Sequence, residues 1–437
     1  MQKLIIAGGK PLTGSVRLGG AKNASFKIMI ATLLAPGQSR ILNFSHIADV
    51  KLTKNILQEL GCEISSPGER TLYINTKTVS KFEISAHHGE GSRASTMFIG
   101  PLLARFGQAV IPLPGGDKIG TRPLDRHFDG LKAMGVNISV EGNVLRATCQ
   151  KLHATEYTFP KKTHTGTETL LMAAILAQGK TILKNAALEP EVDDLIKFLN
   201  RMGAKVNRQA EEIHIEGVQY LRPAIHKIMP DRNEAVTYAC AAIATKGDII
   251  VENAQPKDLE AFLLKLHDIG AGYEMGTYGM RFYYKGPLQA TNLVTQPHPG
   301  FMTDWQPLWT VLMTQATGES IVHEAVFTSR FLYVPNLVAM GARINLFEPE
   351  VENPGSFYNF NLEDDQGNHL HAVKITGPTN FKAGEFQVTD IRAGATLVVA
   401  ALIAQGKTIL SGIDHIHRGY ENLSGRLRQL GAQIEEA

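Results

Sequence analysis

Six segments of the chain place a cation next to glycine or proline, in contexts where packing does not require a charge. The cations are Lys22, Arg93, Arg122, Arg232, Arg392 and Arg418. Arginine forms forked hydrogen bonds with carboxylate and phosphate, so several of these side chains together would suit a small polyanion. Each cation alone has the ordinary interpretation of a surface charge, and the hypothesis depends on their shared context.

Three aspartates accompany these cations and could supply acid and base chemistry. Asp117 lies in a glycine-flanked loop, Asp304 lies in the segment HPGFMTDWQ, and Asp390 precedes Arg392 by two residues. A carboxylate beside several arginines stays ionised and can accept a proton, whereas one in an apolar or closed site can carry a proton. Aspartates are also common in exposed turns, so the pattern alone does not assign roles.

A sixfold repeat must position these residues. Each repeat has a small-residue apolar helix ending in glycine, a β-branched strand, and a second helix that also ends in glycine. The first helices end at Gly37, Gly107, Gly179, Gly247, Gly318 and Gly406, and the second at Gly61, Gly135, Gly203, Gly270, Gly341 and Gly431. Because the residue after a helix often needs a positive φ, these glycines predict six αβ units.

Six units divide into two domains of three, with a junction near Ile228 to Asp231, where Pro230 interrupts a strand-like run. We expect the functional groups to lie in a cleft between the two domains. The last interval between repeats is longer, and its surplus falls in residues 349–371, a polar and turn-rich stretch. This stretch is interpreted as a surface insertion.

Composition excludes several classes of protein. The chain has 437 residues, with 44 Lys and Arg against 42 Asp and Glu, and a net charge of +2 leaves no basic excess for nonspecific nucleic-acid binding. The segments at 178–181 and 405–408 read QGKT, but they lack the first glycine of a phosphate loop and run from helix to strand. The histidines form no metal-binding motif, so we expect no metal and no cofactor.

The cysteines and the apolar runs bear on location. Cys62, Cys149 and Cys240 are odd in number and far apart, so we interpret them as core thiols in a reducing compartment. No apolar run is long enough to span a membrane, and the first residues lack the apolar core of a signal peptide. We therefore expect a cytoplasmic protein that does not bind membranes.

From GGAKNAS at 19–25 to HIHRGYE at 415–421, the order and spacing of these motifs resemble the UDP-N-acetylglucosamine enolpyruvyl transferase family. The resemblance covers almost the whole chain and implies two inside-out α/β domains, each of three βαβαββ repeats around buried helices. It places one domain at 21–229 and the other at 1–20 plus 230–437, with domain closure on substrate binding. It also implies transfer of the enolpyruvyl group of phosphoenolpyruvate to the 3-hydroxyl of UDP-N-acetylglucosamine, with release of phosphate, in peptidoglycan precursor synthesis.

The resemblance also implies residue roles. Lys22 would contact phosphoenolpyruvate, Arg392 would hold the enolpyruvyl group, and Asp304 would accept the proton of the sugar hydroxyl. Arg93, Arg122 and Arg418 match anion-binding arginines. The remaining substrate-binding residues would be Asn23, Pro123, Leu124, Asp125, His127, Lys162, His164, Thr165, Gly166, Val326, Phe327 and Asp390. We expect a monomer with small-molecule substrates, whose product supports cell shape and division.

One departure from the family concerns the loop at Asp117, where the family usually has cysteine. A carboxylic acid can act as a general acid but does not form the adduct that a thiol forms, so we expect turnover through Asp117 and resistance to fosfomycin. Trp305 and Trp309 depart from the family near Asp304 and could alter packing there. Two alternatives stay open: another acceptor, such as a uridine nucleotide or shikimate 3-phosphate, and a non-catalytic six-repeat clamp or scaffold.

Overall fold

The computed structural model describes residues 2–89, 93–113, 123–365, 367 and 369–437. Within these residues the strands are β1 (Lys3–Ala7), β2 (Thr13–Arg17), β3 (Gln38–Leu42), β4 (Glu63–Gly68), β5 (Thr71–Asn75), β6 (Gln108–Pro112), β7 (Asn137–Glu141), β8 (Val144–Thr148), β9 (Glu156–Thr158), β10 (Lys180–Lys184), β11 (Lys205–Gln209), β12 (Glu212–Glu216), β13 (Ile225–Lys227), β14 (Asp248–Glu252), β15 (Gly272–Gly276), β16 (Gly279–Tyr283), β17 (Leu293–Val294), β18 (Gly318–His323), β19 (Arg343–Phe347), β20 (Ala372–Gly377), β21 (Glu385–Gln387), β22 (Lys407–Ser411) and β23 (Gln433–Glu436).

The helices of the same residues are α1 (Lys22–Ala31), α2 (Ala48–Glu59), α3 (Ala86–Gly89), α4 (Ile99–Phe106), α5 (Asp125–Ala133), α6 (His164–Ala174), α7 (Pro190–Arg201), α8 (Arg232–Ala244), α9 (Glu260–Asp268), α10 (Gln306–Gln315), α11 (Val334–Ala339), α12 (Pro354–Phe357), α13 (Ile391–Ile403), α14 (Asp414–His417) and α15 (Leu423–Gln429). Short 3-10 turns lie at Thr32–Leu34, Arg93–Phe98, Pro256–Asp258 and Leu362–Asp364. None of the helices in the described ranges is long and apolar enough to cross a membrane.

The chain divides into two compact units. Among the described residues, one unit takes 19–113 and 123–229, and we call it the Lys22 unit. The other takes 2–18 together with the chain from Pro230 onward, and we call it the Asp304 unit. Strand β1 pairs antiparallel with β22 and β23, and β2 pairs parallel with β14, so the start of the chain completes two sheets of the Asp304 unit.

Each unit contains three sheets built on one plan. In the Lys22 unit the strand orders are β13-β3-β5-β4, β6-β8-β7 and β11-β12-β10-β9. In the Asp304 unit they are β15-β16-β14-β2, β17-β18-β20-β19 and β21-β22-β1-β23. The strand that follows each buried helix pairs antiparallel with its neighbour, and in five of these sheets it also pairs with a parallel edge strand. This arrangement confirms the predicted α/β class with three repeats in each half.

Buried helices lie at the centre of each unit, with the sheets outside them. All residues of α8 are buried, as are those of α13 from Ile391 to Leu402. Alanine is the most frequent residue in both helices, and its small side chain lets neighbouring backbones approach closely. The repeats are therefore inside out, as predicted, because the helices form the core.

The predicted glycines explain where each helix ends. Eleven of the twelve have a positive φ, between 68° and 120°. Gly247 is the exception, because the positive φ belongs to Lys246, at 57°. A Cβ at Gly247 would lie 2.2 Å from the carbonyl oxygen of Leu12, so close packing rather than backbone conformation requires glycine there.

The insertion is only partly a surface feature. Residues 352–357 are exposed, but Tyr358, Phe360 and His371 are buried, so the surface prediction is wrong for these three. Tyr358 and Phe360 form a small apolar cluster with Ala325, apart from the cores of the two units. The surface prediction relied on the polar average composition of the stretch and gave no weight to its aromatic side chains. These side chains supply apolar area that packs the stretch against the unit.

Candidate active site

The carboxylate of Asp304 lies between two arginines in the Asp304 unit. Asp304 Oδ2 is 3.0 Å from Nη2 and 3.2 Å from Nε of Arg392, and Oδ1 is 3.1 Å from Nη2 of Arg330. Both arginines are 5% exposed, whereas the Asp304 side chain is 25% exposed. The carboxylate is thus held in place by the two guanidinium groups and remains partly open to solvent.

Helix geometry fixes Arg392. Asp390 caps the start of α13 by accepting hydrogen bonds from the backbone N–H groups of Arg392 and Ala393, each at 2.9 Å. The Arg392 guanidinium lies 5.2 Å from the ring centroid of Tyr420, whose hydroxyl is 2.9 Å from Thr237 Oγ1. Asp390, predicted to bind substrate, therefore has a clear structural role in orienting Arg392.

A buried glutamate connects Asp304 to the segment predicted to bind the nucleotide. Glu324 Oε1 accepts hydrogen bonds from the backbone N–H groups of Val326, at 2.9 Å, and Phe327, at 3.0 Å. Its Oε2 accepts the hydroxyl of Thr303 at 3.0 Å, next to Asp304. Burial raises the pKa of Glu324, although Arg330 and these three donors favour the ionised form.

The other predicted cations of this unit lie in different surroundings. Arg418 is half-buried and ends α14. Arg232 is buried, with Nη1 3.1 Å from His298 Nδ1 and its guanidinium 5.7 Å from the Trp305 ring. Its position against a buried ring indicates that Arg232 contributes to packing as well as to charge.

Trp305 and Trp309 belong to the core of the Asp304 unit. Both are almost fully buried, and their rings pack edge-on against Phe301 at 5.5 and 5.4 Å. The Trp305 indole N–H donates to Asn233 Oδ1 at 2.8 Å. The two tryptophans thus anchor the start of α10, two residues after Asp304, in the core of the unit.

In the Lys22 unit, Lys22 and Asn23 begin α1. The ammonium of Lys22 is 3.0 Å from Asp49 Oδ2, and its side chain is 14% exposed. The amine also lies 5.7 Å from the ring centroid of Phe26. The Lys22 stem is packed and its ammonium is paired with Asp49, so the side chain is held in place. Its exposed part leaves the ammonium accessible to an anion.

The two segments predicted to bind uridine nucleotide meet within the Lys22 unit. Pro123 and Leu124 lead into α5, which begins at Asp125, and Lys162 precedes α6. His127 Nε2 is 3.0 Å from Thr165 Oγ1, and Arg126 donates to the backbone carbonyl of Lys162 at 3.2 Å. The structure therefore brings these predicted residues together.

The start of α6 is ordered by a capping residue and lies beside a buried ion pair. Thr163 caps it by accepting a hydrogen bond from the N–H of Gly166 at 3.2 Å, and a Cβ at Gly166 would lie 2.5 Å from the Thr163 side chain. His164 Nε2 is 2.8 Å from the ammonium of Lys27, which pairs with Glu168 Oε2 at 2.5 Å. Lys27 and Glu168 are fully buried, and burial lowers the pKa of Lys27.

Of the predicted anion-binding and acid residues of this part of the chain, Asp117 and Arg122 lie outside the described residues. Arg93 begins a 3-10 turn and is half-buried, and its charge contributes to the low pKa of His127. In the described ranges, no group of three or more histidine, cysteine or carboxylate side chains is arranged to hold a metal ion.

Sequence reasoning missed Arg330, Glu324 and the Lys27–Glu168 pair. Arg330 lies in the run VFTSRFLY, which contains no glycine or proline. The search for charged residues near glycine or proline therefore did not identify it. Lys27 and Glu168 lie within apolar helices. A charged residue in such a helix indicates a buried ion pair, because a buried charge requires a partner. Of the three cysteines, Cys62 and Cys240 are buried as predicted, whereas Cys149 is half-buried.

Comparison with known proteins gives the family. The family described as EPSP synthase (3-phosphoshikimate 1-carboxyvinyltransferase) matches residues 6–427. The chain is 41% identical over 441 residues to a UDP-N-acetylglucosamine 1-carboxyvinyltransferase of Sorangium cellulosum, covering 99% of this chain and 98% of the relative. It is 41% identical over 439 residues to the protein of the same name from Trichlorobacter lovleyi, covering 100% and 99%.

Solved structures show the same fold. The enolpyruvyl transferase NikO from Streptomyces tendae superposes with a TM-score of 0.86 at 23% identity, covering 100% of this chain and 99% of the other. An EPSP synthase from Acinetobacter baumannii gives 0.72 at 18% identity, with both chains fully covered. Since the 41% identity to the curated relatives extends over 99–100% of this chain, the resemblance inferred from the motifs is confirmed, and this chain belongs to the UDP-N-acetylglucosamine 1-carboxyvinyltransferase family.

Proposed function

We propose that this protein transfers the enolpyruvyl group of phosphoenolpyruvate to the 3-hydroxyl of UDP-N-acetylglucosamine, with release of phosphate, the first committed step of peptidoglycan precursor synthesis. The full-length identity of 41% to relatives that bear this name carries the proposal. The ion pair of Asp304 with Arg392 and Arg330 supplies a carboxylate and two cations that suit this chemistry.

In the proposed reaction, Asp304 accepts the proton of the sugar hydroxyl as the hydroxyl oxygen bonds to C2 of phosphoenolpyruvate. The methylene carbon C3 receives a proton from Asp117. C3 then returns a proton to the Asp117 carboxylate, the C3–H bond electrons form the C2–C3 double bond, and phosphate leaves with both electrons of the broken C2–O bond. Positioning and charge stabilisation carry most of the rate enhancement in such a mechanism.

The cations stabilise the negative charges of the phosphate and the carboxylate throughout. Arg392 binds Asp304 through Nε and Nη2, and this guanidinium is proposed to hold the enolpyruvyl carboxylate as well. Lys22, Arg93, Arg122 and Arg418 are proposed to hold the remaining anionic oxygens. Asp390 acts through the capped helix that orients Arg392.

The acceptor contacts are proposed for both units. In the Lys22 unit they come from Asn23 and from the two nucleotide segments, and in the Asp304 unit from Val326 and Phe327. The hydrogen bond between His127 and Thr165 holds the two nucleotide segments of the Lys22 unit together. We further propose a monomer acting in the cytoplasm, consistent with three free thiols, and a product needed for cell shape and division.

A coupled phosphate-release assay tests the proposal. Wild-type protein with phosphoenolpyruvate is expected to release phosphate with UDP-N-acetylglucosamine and to release little with shikimate 3-phosphate or with a uridine nucleotide lacking the sugar. Mass spectrometry should detect the enolpyruvyl ether of the sugar nucleotide. Faster release with another acceptor would reject the assigned substrate and retain the reaction type, and no release with any of the three would reject the function.

A further inference from the structure

The insertion, residues 349–371, lies between β19 and β20, two neighbouring antiparallel strands that a short turn could connect. The corresponding hairpins of other sheets turn directly, from Gln209 to Glu212 between β11 and β12 and from Gly276 to Gly279 between β15 and β16. The longer connection therefore adds structure at the end of β18, where the chain leaves the sheet for Glu324.

The insertion is bonded to segment 324–327 through the backbone. The N–H of Asn359 donates to the carbonyl oxygen of Ala325 at 2.7 Å, and the N–H of Glu324 donates to the carbonyl oxygen of His371 at 2.8 Å. Segment 324–327 is thus held by backbone hydrogen bonds to a residue near the middle of the insertion and to its last residue.

Aromatic packing reinforces these hydrogen bonds. The rings of Tyr358 and Phe360 stack at 4.6 Å, and Phe360 stacks on His371 at 5.1 Å. Both aromatic residues pack against Ala325, and the Tyr358 hydroxyl is 3.1 Å from His323 Nε2. Both rings are buried, so their packing favours a single position of the segment that they contact.

Segment 324–327 in turn is bonded to the residue beside Asp304. Glu324 accepts the N–H groups of Val326 and Phe327 on one oxygen and the hydroxyl of Thr303 on the other. A displacement of Ala325 would move Glu324 and, with it, both ends of this hydrogen-bond network. The network is continuous from the insertion to Thr303.

We propose that the insertion is a positioning element for the acceptor, holding segment 324–327 where it binds the sugar nucleotide. Tyr358 and Phe360 are its positioning residues, and they act through Ala325 without touching the reacting atoms. This inference rests on the proposed function, which assigns Val326 and Phe327 to acceptor binding. It gives this chain's insertion a role in acceptor affinity rather than in phosphoenolpyruvate binding.

Kinetics of the double variant Tyr358→Ala/Phe360→Ala test the inference, with Leu362→Ala as the control because Leu362 is an exposed apolar residue of the same insertion. The double variant is expected to raise the KM for UDP-N-acetylglucosamine about tenfold, while the KM for phosphoenolpyruvate changes less than about twofold. Hydrogen exchange at the amides of Val326 and Phe327 should accelerate in the double variant and not in the control.

The outcomes separate the two proposals. Partial unfolding lowers kcat and leaves both KM values unchanged, so that result would overturn the positioning role. Equal rises in both KM values, or faster amide exchange with an unchanged acceptor KM, would also overturn it. Wild-type protein that releases no phosphate with UDP-N-acetylglucosamine would instead reject the proposed function, and the positioning role with it.

Discussion

Asp304 and Arg392 form an ion pair, with Oδ2 3.0 Å from Nη2, although 88 positions separate them in the chain. Arg330 binds the other carboxylate oxygen, so the carboxylate has both oxygens occupied by guanidinium groups. The pair joins two repeats of one unit, because Asp304 precedes α10 and Arg392 lies in the first turn of α13. Such an arrangement fixes the direction from which a substrate hydroxyl can approach the carboxylate.

Asp304→Asn should lower kcat strongly with a small effect on the acceptor KM. The amide keeps the shape of the side chain but cannot accept the hydroxyl proton, and general-base catalysis typically contributes about 100- to 10,000-fold. Steady-state phosphate release measures both constants. Glu319→Gln is the matched control, since Glu319 is an exposed carboxylate of the same unit. A kcat within about tenfold of wild type would exclude Asp304 as the base.

The repeat architecture could be predicted from sequence because its signals are local. A helix that ends at glycine needs a particular φ at one residue, and eleven of twelve predicted positions have it. The exception, Gly247, is required by contact with Leu12, which is distant in the chain. Local signals therefore located the elements, and a long-range contact explained the one position that did not fit.

The site was less predictable because its geometry is tertiary. The motifs identified Asp304 and Arg392 as candidates, but only the packing of α10 against α13 brings them within hydrogen-bonding distance. Arg330 and Glu324 have unremarkable sequence neighbours, and their roles come from burial and hydrogen bonds. In the insertion, the aromatic pattern SFYNF was the available sign that part of a polar stretch is buried.

Wild-type protein is expected to resist fosfomycin, because the motif resemblance assigns Asp117 to the position of the thiol that this epoxide alkylates. Asp117→Cys is expected to retain turnover and to become sensitive, since a thiol supplies both a proton and a nucleophile. Asp117→Asn should abolish turnover, because an amide cannot donate the proton to C3. Activity after incubation, with intact-mass analysis of the adduct, measures all three proteins.

The free cysteines provide the internal control for this experiment. Burial raises the pKa of Cys62 to about 12 and also raises the pKa values of Cys149 and Cys240, so all three thiols are less ionised at neutral pH than a free cysteine. A single fosfomycin adduct is therefore expected in Asp117→Cys and none in wild type. Inactivation of wild-type protein with one covalent label would contradict the role of Asp117.

Stability of the Lys22 unit should fall below pH 6.5 because of His127. Burial, together with the charges of Arg93 and Arg126 and against that of Asp125, lowers the pKa of this residue to about 3. Below pH 6.5 the imidazole of His127 takes up a proton in the unfolded chain but stays neutral in the folded protein. The free energy of unfolding is therefore highest above pH 6.5 and falls as the pH is lowered from 6.5 toward 3. At pH 5 the loss is about 2 kcal/mol.

His127→Gln should reduce this pH dependence. Urea unfolding at pH 7.5 and pH 5 gives the difference in free energy for each protein, and the difference should shrink by about 2 kcal/mol in the variant. His153→Gln is the control, because His153 is an exposed histidine of the same unit. An equal pH dependence in wild type and His127→Gln would contradict the assigned burial effect.

The buried pair of Lys27 and Glu168 should be sensitive to the loss of either charge alone. Lys27→Met leaves the Glu168 carboxylate fully buried without its ammonium partner, and such a change typically costs about 3–5 kcal/mol. The double variant Lys27→Met/Glu168→Gln removes both charges and should recover most of that loss, since two charges no longer require desolvation. Urea unfolding of the three proteins at pH 7.5 measures the free energies.

A surface pair in the same unit provides the comparison for this prediction. Lys184 and Glu156 form an ion pair on neighbouring strands with both side chains exposed to solvent. Lys184→Met should change stability little, because exposed pairs are screened and gain little from their attraction. If Lys27→Met were no more destabilising than Lys184→Met, the prediction would be wrong, and the Glu168 carboxylate would have to be protonated or paired with another cation. His164 is the nearest group that could change its charge, so the single variant would then show a stability that depends on pH between 5 and 8.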